Sequence, residues 1–475
     1  MRALLVHPSL FHHPAPSVPC GLAWVAAALR SRGAQVAILD LGFVWNRSRV
    51  IPQAVRELRP DVIGLGVPHL DNDCAFHALS MLPHARWIVD RLRATSSAPI
   101  VVGGSGASLF AVEVLTHLGL RHGFVGSDPV AAAALLEAIA AGDDGATHAG
   151  AVCWDGSRYR TSTETGEAPP DQCPHAAAHD LVDYRRYLRA GGAPVVPVAL
   201  ERRGVLVRRG AEEIADEAAE VRAVAGTRRL ILAGLTVGAD VETDDVLFDA
   251  FAARAEQPSL EVEAHPAALT TQRVTRLLRG GVRALRLRLG DRLAPGHGSE
   301  PGDLATDPVA AARTALEHIA GRVPVSLELR VGAPGESPRS LARTLEALAA
   351  LTPRPTRIEL RPGIRLTGPA GDGVAEVRGS ASGVSFLWPR FGVDVRLEHD
   401  LVARLRAGIA CSPDSSVDAD AYAPWQRVAH ALARASGVWP AWRIEPLLTG
   451  LPKRWRRSHR QQGTFPKPAD VTSAP

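Results

Sequence analysis

The sequence has few cysteines, and they are not clustered. The five lie far apart, as Cys20, Cys74, Cys153, Cys173 and Cys411. The nearest two, Cys153 and Cys173, are twenty residues apart. Common structural zinc sites and iron–sulfur centres take two or more cysteines from within a few residues of each other. The sequence therefore predicts neither a 4Fe–4S cluster nor a zinc site built from cysteines.

Long apolar runs, a leader segment and a basic stripe are also missing. No apolar run approaches the roughly 18 residues of a membrane helix, and the chain starts on the strand-like run Arg2–Val6 instead of a basic leader. The net charge is only +4, and its basic excess is scattered apart from the tail at residues 453–460. We expect a cytoplasmic protein with no membrane or nucleic-acid partner, and with free cysteines.

What the chain does contain is a long alternation of strand and helix patterns. At 475 residues it is too long for one ordinary core. Apolar strands alternate with helices of about ten to fifteen residues, which indicates βαβ units and parallel sheets. We predict a doubly wound parallel sheet at 1–145 and a polar connector at 146–190. A partial (β/α)6 barrel should follow at 191–370, and a helical extension at 371–475.

A glycine-rich turn, Gly103–Gly106, follows the fourth predicted strand of the first domain. Glycines let a ligand approach the backbone, and the helix start that follows favours an anion. The segment Ala107–Leu109 should separate this turn from a helix that begins at Phe110. The turn is not the dinucleotide fingerprint, because that motif follows the first strand, where His7–Pro14 is too bulky to hold a pyrophosphate. A purely structural turn is the alternative.

Histidines near strand ends are the candidate metal ligands. Three of them lie within residues 7–13 but have no clustered carboxylate, so we expect solvated side chains there. His69 follows the third strand, at the edge where parallel sheets bind ligands. Asp71 and Asn72 come next, and either could instead cap the following helix. Ser48 is the predicted cap of an earlier helix.

Glycines also follow two consecutive strands of the second half, at Gly332, Gly335 and Gly363. This placement indicates a ligand across the barrel mouth, with paired structural turns as the alternative. Barrels place active groups near strand ends, so charged residues there are weak catalytic candidates, although each could be solvated or salt-bridged. They are Glu261, Glu263, Asp291, Glu336 and Arg365.

Taken in order, these motifs resemble the cobalamin-binding radical S-adenosylmethionine family over nearly the whole chain. The similar segments are Pro19–Ala23, Gly64–Asn72, Gly103–Phe110, Gly332–Ser337 and Gly363–Arg365. The resemblance implies a cobalamin-binding-like first domain and a radical-SAM-type partial barrel, with cobalamin as cofactor and S-adenosylmethionine as a second possible ligand. The cofactor-binding residues it implies are His69, Asp71, Asn72, Gly103, Gly104, Ser105, Gly106, Ser108, Gly332, Gly335 and Gly363.

The chain departs from the family where the cluster is held. Family members follow an Arg-Gly pair with three cysteines that ligate a 4Fe–4S cluster. Here Arg203-Gly204 matches the pair, but only residues 205–210 separate it from the helix predicted at Ala211. The cysteine loop is deleted, so the usual radical initiation is not available. Gly126–Pro129 also replaces the family's Gly-Glu-Gly-Glu, and the Asp-x-His-x-x-Gly motif is absent.

If cobalamin binds, its nucleotide tail should lie beside Gly103–Gly106, with the lower cobalt face near His69. A neutral imidazole can ligate such a metal, and a packing or hydrogen-bonding role for His69 is the alternative.

Three functions fit this combination. The first is a cluster-free, cobalamin-dependent enzyme that transfers methyl groups to a small molecule of secondary metabolism. The second is a non-catalytic cobalamin-binding partner of an intact family enzyme or of another biosynthetic protein. The third is an interaction scaffold that binds neither ligand, because a fold does not determine a function.

Overall fold

The computed structural model describes residues 1–8, 17–44, 46–70, 81–162, 174–190, 192–202, 205–289 and 308–331, together with 344, 347, 351–353, 355 and 357–362. The predicted helical extension at 371–475 lies outside these residues. The sequence pattern also favours helices at 397–407, 424–436 and 337–351. The first two lie outside the described residues, as does most of the third.

The first unit is a seven-stranded sheet in the order β2-β1-β3-β4-β5-β6-β7. Strands β1 to β5 run parallel, while β6 and β7 add as an antiparallel pair at one edge. The strands are β1 (Arg2–His7), β2 (Gln35–Asp40), β3 (Val62–Gly66), β4 (Ile100–Gly103), β5 (His122–Phe124), β6 (Ala151–Trp154) and β7 (Tyr159–Thr161).

Helices cover both faces of this sheet, because its central strands are apolar on both sides. α1 and α6 share one buried cluster with the sheet, and α2, α3 and α5 share another. The helices are α1 (Cys20–Ser31), α2 (Arg47–Leu58), α3 (Leu82–Arg93), α4 (Ser105–Leu109), α5 (Ala111–Leu118) and α6 (Pro129–Ala140). The predicted doubly wound α/β fold is confirmed.

Local details differ from the sequence prediction at three places. Asn46 caps α2, since its side chain accepts a hydrogen bond from the Arg49 amide at 3.1 Å, and Ser48 lies inside the first turn. α4 begins at Ser105, directly on the glycine turn, so Ala107–Leu109 is helical and not a spacer. The first sheet also continues into the segment expected as a connector, because β6 and β7 pair onto β5.

The second unit is a six-stranded parallel sheet in the order β15-β14-β13-β12-β11-β8. Its strands are β8 (Val195–Pro197), β11 (Arg229–Val237), β12 (Ser259–Ala264), β13 (Val282–Leu289), β14 (Val325–Val331) and β15 (Arg357–Pro362). Its helices are α8 (Ala211–Ala225), α9 (Val241–Ala252), α10 (Thr271–Arg279) and α11 (Pro308–Ile319), preceded by α7 (Tyr184–Arg189). The sheet order runs through consecutive strands from β11 to β15, as in a partial barrel.

Alternation along the strands decides which residues face the helices. In β12, Leu260, Val262 and Ala264 are buried in the core formed with the helices, whereas Glu261 and Glu263 occupy the other face. A period of two places successive side chains on opposite faces. The inner face of the partial barrel is therefore charged.

An antiparallel hairpin interrupts the βα rhythm after β8. It consists of β9 (Ala199–Arg202) and β10 (Val205–Arg208), and it leads into α8. This hairpin occupies the position at which the family's cysteine loop is expected.

Candidate functional site

The first candidate site lies at the carboxyl edge of the first sheet, between β1 and β3. The strand order reverses there, because the chain moves outward from β1 to β2 and then back to β3 on the other side. Ligands of open parallel sheets bind at such a switch point. His7 ends β1, and His69 follows β3 by three residues, so both lie at this edge.

Backbone contacts hold the segment after β3 against the turn after β4. The Val67 amide donates to the Gly103 carbonyl at 2.6 Å, and the Ala107 amide donates to the Val67 carbonyl at 3.1 Å. The Ser105 hydroxyl donates to the Pro68 carbonyl at 2.9 Å. The two loops therefore form one rigid surface.

Two glycines make this close approach possible. Gly104 has a φ of +105°, and a Cβ at this position would lie 2.8 Å from the Val67 carbonyl oxygen. A Cβ at Gly106 would lie 2.9 Å from the backbone of His69. The structure thus brings His69 together with the predicted glycine turn and exposes its side chain at the edge.

Ser108 connects this surface to the loop after β5. Its hydroxyl donates to the Gly104 carbonyl at 3.0 Å and accepts a hydrogen bond from the Gly126 amide at 3.2 Å. Ser108, one of the predicted cofactor residues, therefore hydrogen-bonds both to the glycine turn and to the loop after β5.

His7 is a buried residue that the sequence prediction treated as solvated. It is 3% exposed, and burial lowers its pKa, so the imidazole is neutral. It hydrogen-bonds to the Ser17 backbone, while its Nε2 has no hydrogen-bond partner in the described part of the chain. The position of His7 at the end of a central apolar strand is the sequence feature that could have predicted its burial. The expectation of solvated histidines is wrong for His7, while His12 and His13 lie outside the described residues.

A second buried pair lies nearby, at the start of α2 and on α3. The Arg47 side chain is fully buried and its Nη1 lies 2.8 Å from His84 Nε2. Burial first, and then the charge of Arg47, hold the pKa of His84 well below its usual value. His84 is therefore neutral and accepts from the guanidinium.

The second candidate site is the inner face of the partial barrel, where charges alternate between neighbouring strands. Glu261 lies 3.2 Å from Arg229 and 3.3 Å from Arg286. Glu263, like Glu261 a predicted catalytic candidate, lies 3.3 Å from Arg288 and 3.6 Å from Arg286. These ion pairs show that Glu263 is salt-bridged; a catalytic role for it stays a prediction.

Several predicted site residues lie outside the described part of the chain. They are Asp71, Asn72, Asp291, Gly332, Gly335, Glu336, Gly363 and Arg365. Their roles stay predictions.

The hairpin β9–β10 contacts the first unit, and Arg209, which follows the hairpin, contacts the connector through the His175 carbonyl. Glu201 accepts hydrogen bonds from the Ser127 amide at 2.6 Å and from its hydroxyl at 2.7 Å. Arg209, at the end of the hairpin, is buried and forms ion pairs with Glu213 and Glu217. Sequence reasoning missed the Glu201–Ser127 contact, because it joins residues 74 positions apart in the chain.

Buried partners surround the Glu217 carboxylate. His179 Nε2 lies 3.0 Å from its Oε1, and the other ring nitrogen of His179 lies 2.7 Å from the Tyr184 hydroxyl. The Arg209 guanidinium lies over the Trp24 ring, 4.7 Å from its centroid. The junction thus links α1, the connector and α8.

Metal-binding clusters and membrane-spanning helices are both absent from the described residues. No group of three or more histidine, cysteine, aspartate or glutamate residues is placed there to hold a metal ion. Within the same residues, none of the helices is both long and apolar enough to cross a membrane.

Comparison with known proteins identifies the first unit. Residues 12–136 match the B12 binding domain family. The first unit is thus similar to B12-binding domains, within a mixed α/β fold. This match confirms the resemblance to cobalamin-binding proteins of the radical S-adenosylmethionine kind.

Individual relatives agree with that class. Tryptophan 2-C-methyltransferase from Streptomyces laurentii is 26% identical over 139 residues, which are 29% of this chain. The alignment spans only 23% of that relative's length. The radical S-adenosylmethionine methyltransferase TsrM from Kitasatospora setae, solved with tryptophan and a SAM analog, superposes with a TM-score of 0.70. It is 20% identical, and the match covers 87% of this chain and 89% of TsrM.

A more distant structure has the same fold. The cobalamin-dependent S-adenosylmethionine radical enzyme OxsB, solved with aqua-cobalamin and S-adenosylmethionine, gives a TM-score of 0.55 at 13% identity. The match covers 74% of this chain and 52% of OxsB. Both structural likenesses support the predicted architecture of a cobalamin-binding-like sheet followed by a partial barrel.

Proposed function

We propose that this protein binds cobalamin at the carboxyl edge of the first sheet and catalyses methyl transfer to a small biosynthetic molecule without a 4Fe–4S cluster. The observation that carries this proposal is the combination of a B12-binding domain with the short hairpin β9–β10. In this proposal the four-residue strand β10, which pairs with β9, takes the place of the loop that supplies cluster thiolates in the family.

The residues at the switch point fit such a cofactor. Gly104 and Gly106 hold the loop after β3 flat against the turn after β4, and His69 is exposed there. The neutral His7 presents a buried acceptor, Nε2, that has no hydrogen-bond partner in the described residues. Corrin side chains carry amides, which can donate to such an acceptor.

In this proposal cobalamin supplies a cobalt centre that can carry a methyl group. The chain's own residues hold and orient it. Ser105 and Ser108 fix the glycine turn through their hydrogen bonds. This turn would hold the nucleotide tail, and His69 would lie on the cobalt side. S-adenosylmethionine is the proposed methyl donor, and the barrel's inner face is the proposed substrate side.

Cofactor loading is the direct test. The protein, purified without oxygen and mixed with hydroxocobalamin, should retain about one corrin per chain after gel filtration, as read from its absorption spectrum. Iron and sulfide reconstitution should leave it without stoichiometric iron. Four irons per chain would overturn the cluster-free proposal, and the absence of a retained corrin would overturn cobalamin binding.

Activity is tested separately. S-adenosylmethionine labelled in its methyl group should label an acceptor in a cobalamin-dependent way, and tryptophan is the first acceptor to try because the named relatives act on it or bind it. If the purified protein, free of other proteins, binds cobalamin but transfers no methyl group to any indole, the result would favour a non-catalytic cobalamin-binding partner.

The second candidate is a non-catalytic cobalamin-binding partner of an intact enzyme. The inner-face ion pairs favour it, because the Glu261 and Glu263 carboxylates both form ion pairs with arginines instead of facing a substrate as single charged groups. Methyl transfer by an intact family enzyme, measured with and without this protein, should then rise when it is added.

A further inference from the structure

The loop after β5 is held from two directions. On one side the Gly126 amide donates to the Ser108 hydroxyl, and Ser108 in turn donates to the Gly104 carbonyl of the glycine turn. On the other side the Ser127 amide and hydroxyl both donate to one oxygen of Glu201, a residue of the second unit. A continuous hydrogen-bonded path therefore joins the hairpin β9–β10 to the turn at the first sheet's carboxyl edge.

The local backbone makes this arrangement specific. Gly126 has a φ of +117°, and a Cβ there would lie 3.0 Å from the Glu201 carboxylate. The loop therefore passes close beneath the hairpin. The Asp128 side chain caps α6 by accepting from the Val130 and Ala131 amides, so the loop has little freedom on its far side.

Charge matters as well as distance. A carboxylate can accept both Ser127 hydrogen bonds on the same oxygen, and hydrogen bonds to an ionised acceptor are the stronger kind. A glutamine at position 201 could keep one acceptor oxygen, but it would lose the negative charge. The described residues put no lysine or arginine in an ion pair with Glu201, so its contacts to Ser127 are the interactions the structure shows for it.

We propose that Glu201 is a positioning residue for the cofactor site: the hairpin that replaces the cluster loop fixes, through Glu201, Ser127 and Ser108, the glycine turn that faces the cobalamin tail. The proposal rests on cobalamin binding at that turn. In this proposal the hairpin does more than connect the chain where the cysteine loop is deleted, because the second unit then determines the shape of the cofactor site in the first unit.

The test compares Glu201→Gln with wild type by two measurements on the full chain. Hydroxocobalamin titration, followed by absorption, should show about fivefold weaker binding, the loss expected for one charge-assisted hydrogen bond near the surface. Hydrogen exchange of the peptide that contains Gly126 and Ser127 should become faster in the cofactor-free protein.

Ser127→Ala provides a second arm. It removes the hydroxyl bond and leaves the amide bond, so its effect should be smaller, and the double variant should lose less affinity than the product of the two single losses. Glu212→Gln is the matched control, because that carboxylate belongs to the same unit, is exposed and pairs with Arg254. It should match wild type in both measurements.

Each combination of exchange rate and affinity either supports or overturns the role proposed for Glu201. Faster exchange with weaker binding supports the proposal. Unchanged exchange, or faster exchange with unchanged affinity, overturns it while wild-type binding still upholds the proposed function. A wild-type protein that binds no corrin overturns the proposed function itself and removes the cofactor role of Glu201 with it.

Discussion

Gly104 is the residue at which the site depends most directly on backbone geometry. Its φ of +105° lies in a region that side chains rarely adopt, and a Cβ would meet the Val67 carbonyl at 2.8 Å. Strain and overlap then act together, since neither backbone segment can yield without breaking the hydrogen bonds that join them.

Gly104→Ala should therefore destabilise the first unit by about 3 kcal/mol, measured by urea unfolding. Gly142→Ala is the matched control. Gly142 also has a positive φ, +91°, but a Cβ added there would have nothing within 4 Å, so this variant should lose only about 1 kcal/mol. Equal losses would show that contact with Val67 contributes nothing.

His69 presents the opposite case, an exposed side chain whose removal should cost little stability. His69→Ala should change the free energy of unfolding by no more than about 0.5 kcal/mol. If the imidazole ligates cobalt, the visible spectrum of the bound corrin should shift in the variant. An unchanged spectrum would assign His69 to packing or hydrogen bonding only. His175→Ala, also at an exposed histidine, is the control.

At the scale of elements, the buried Glu217 ties the connector to α8. Its carboxylate faces His179 and Arg209, and both of those side chains are 1% exposed. Breaking a buried ion pair leaves an uncompensated charge, which costs far more than an exposed pair.

Glu217→Gln should therefore cost about 3 kcal/mol of unfolding free energy in chemical denaturation. Glu213→Gln removes a carboxylate from the same arginine, but Glu213 is 27% exposed, so water compensates and the loss should stay below about 1 kcal/mol. A similar loss for both variants would contradict the central role of Glu217.

Strand and helix patterns were readable from sequence because each depends on neighbouring residues. The alternation in β12 and the apolar runs of β1 and β3 reflect burial on one face or on two. The Glu201–Ser127 bonds could not be read in this way, because they join residues 74 positions apart. Asn46 was missed as a cap because Ser48, two residues later, satisfies the same local rule.

At the scale of the whole molecule, acid should destabilise the protein through two buried histidines of the first unit. His7 and His84 both have a pKa lowered by burial from the ordinary value of 6.5. The unfolded chain then binds more protons than the folded one, so stability falls as the pH drops below about 6.5 and continues to fall toward the lowered folded values.

The melting temperature should accordingly decrease between about pH 7.5 and about pH 5, and His84→Gln should reduce this decrease by roughly 3 °C. Glutamine keeps an acceptor for Arg47 but cannot take up a proton. His175→Gln, at an exposed position, should leave the pH profile as it is in wild type. A profile unaffected by His84→Gln would exclude this histidine as a source of acid sensitivity.

The Trp24–Arg209 stack has a consequence for how the two halves could be exchanged. Trp24 is on α1 of the first unit, yet it packs in the core of the second, together with Ala23 and Phe43. A chain that kept only the B12-binding half would expose that indole to water, and a graft from another protein would have to supply a partner for it. An exchange of domains should therefore move the two halves together, because each supplies packing partners to the other.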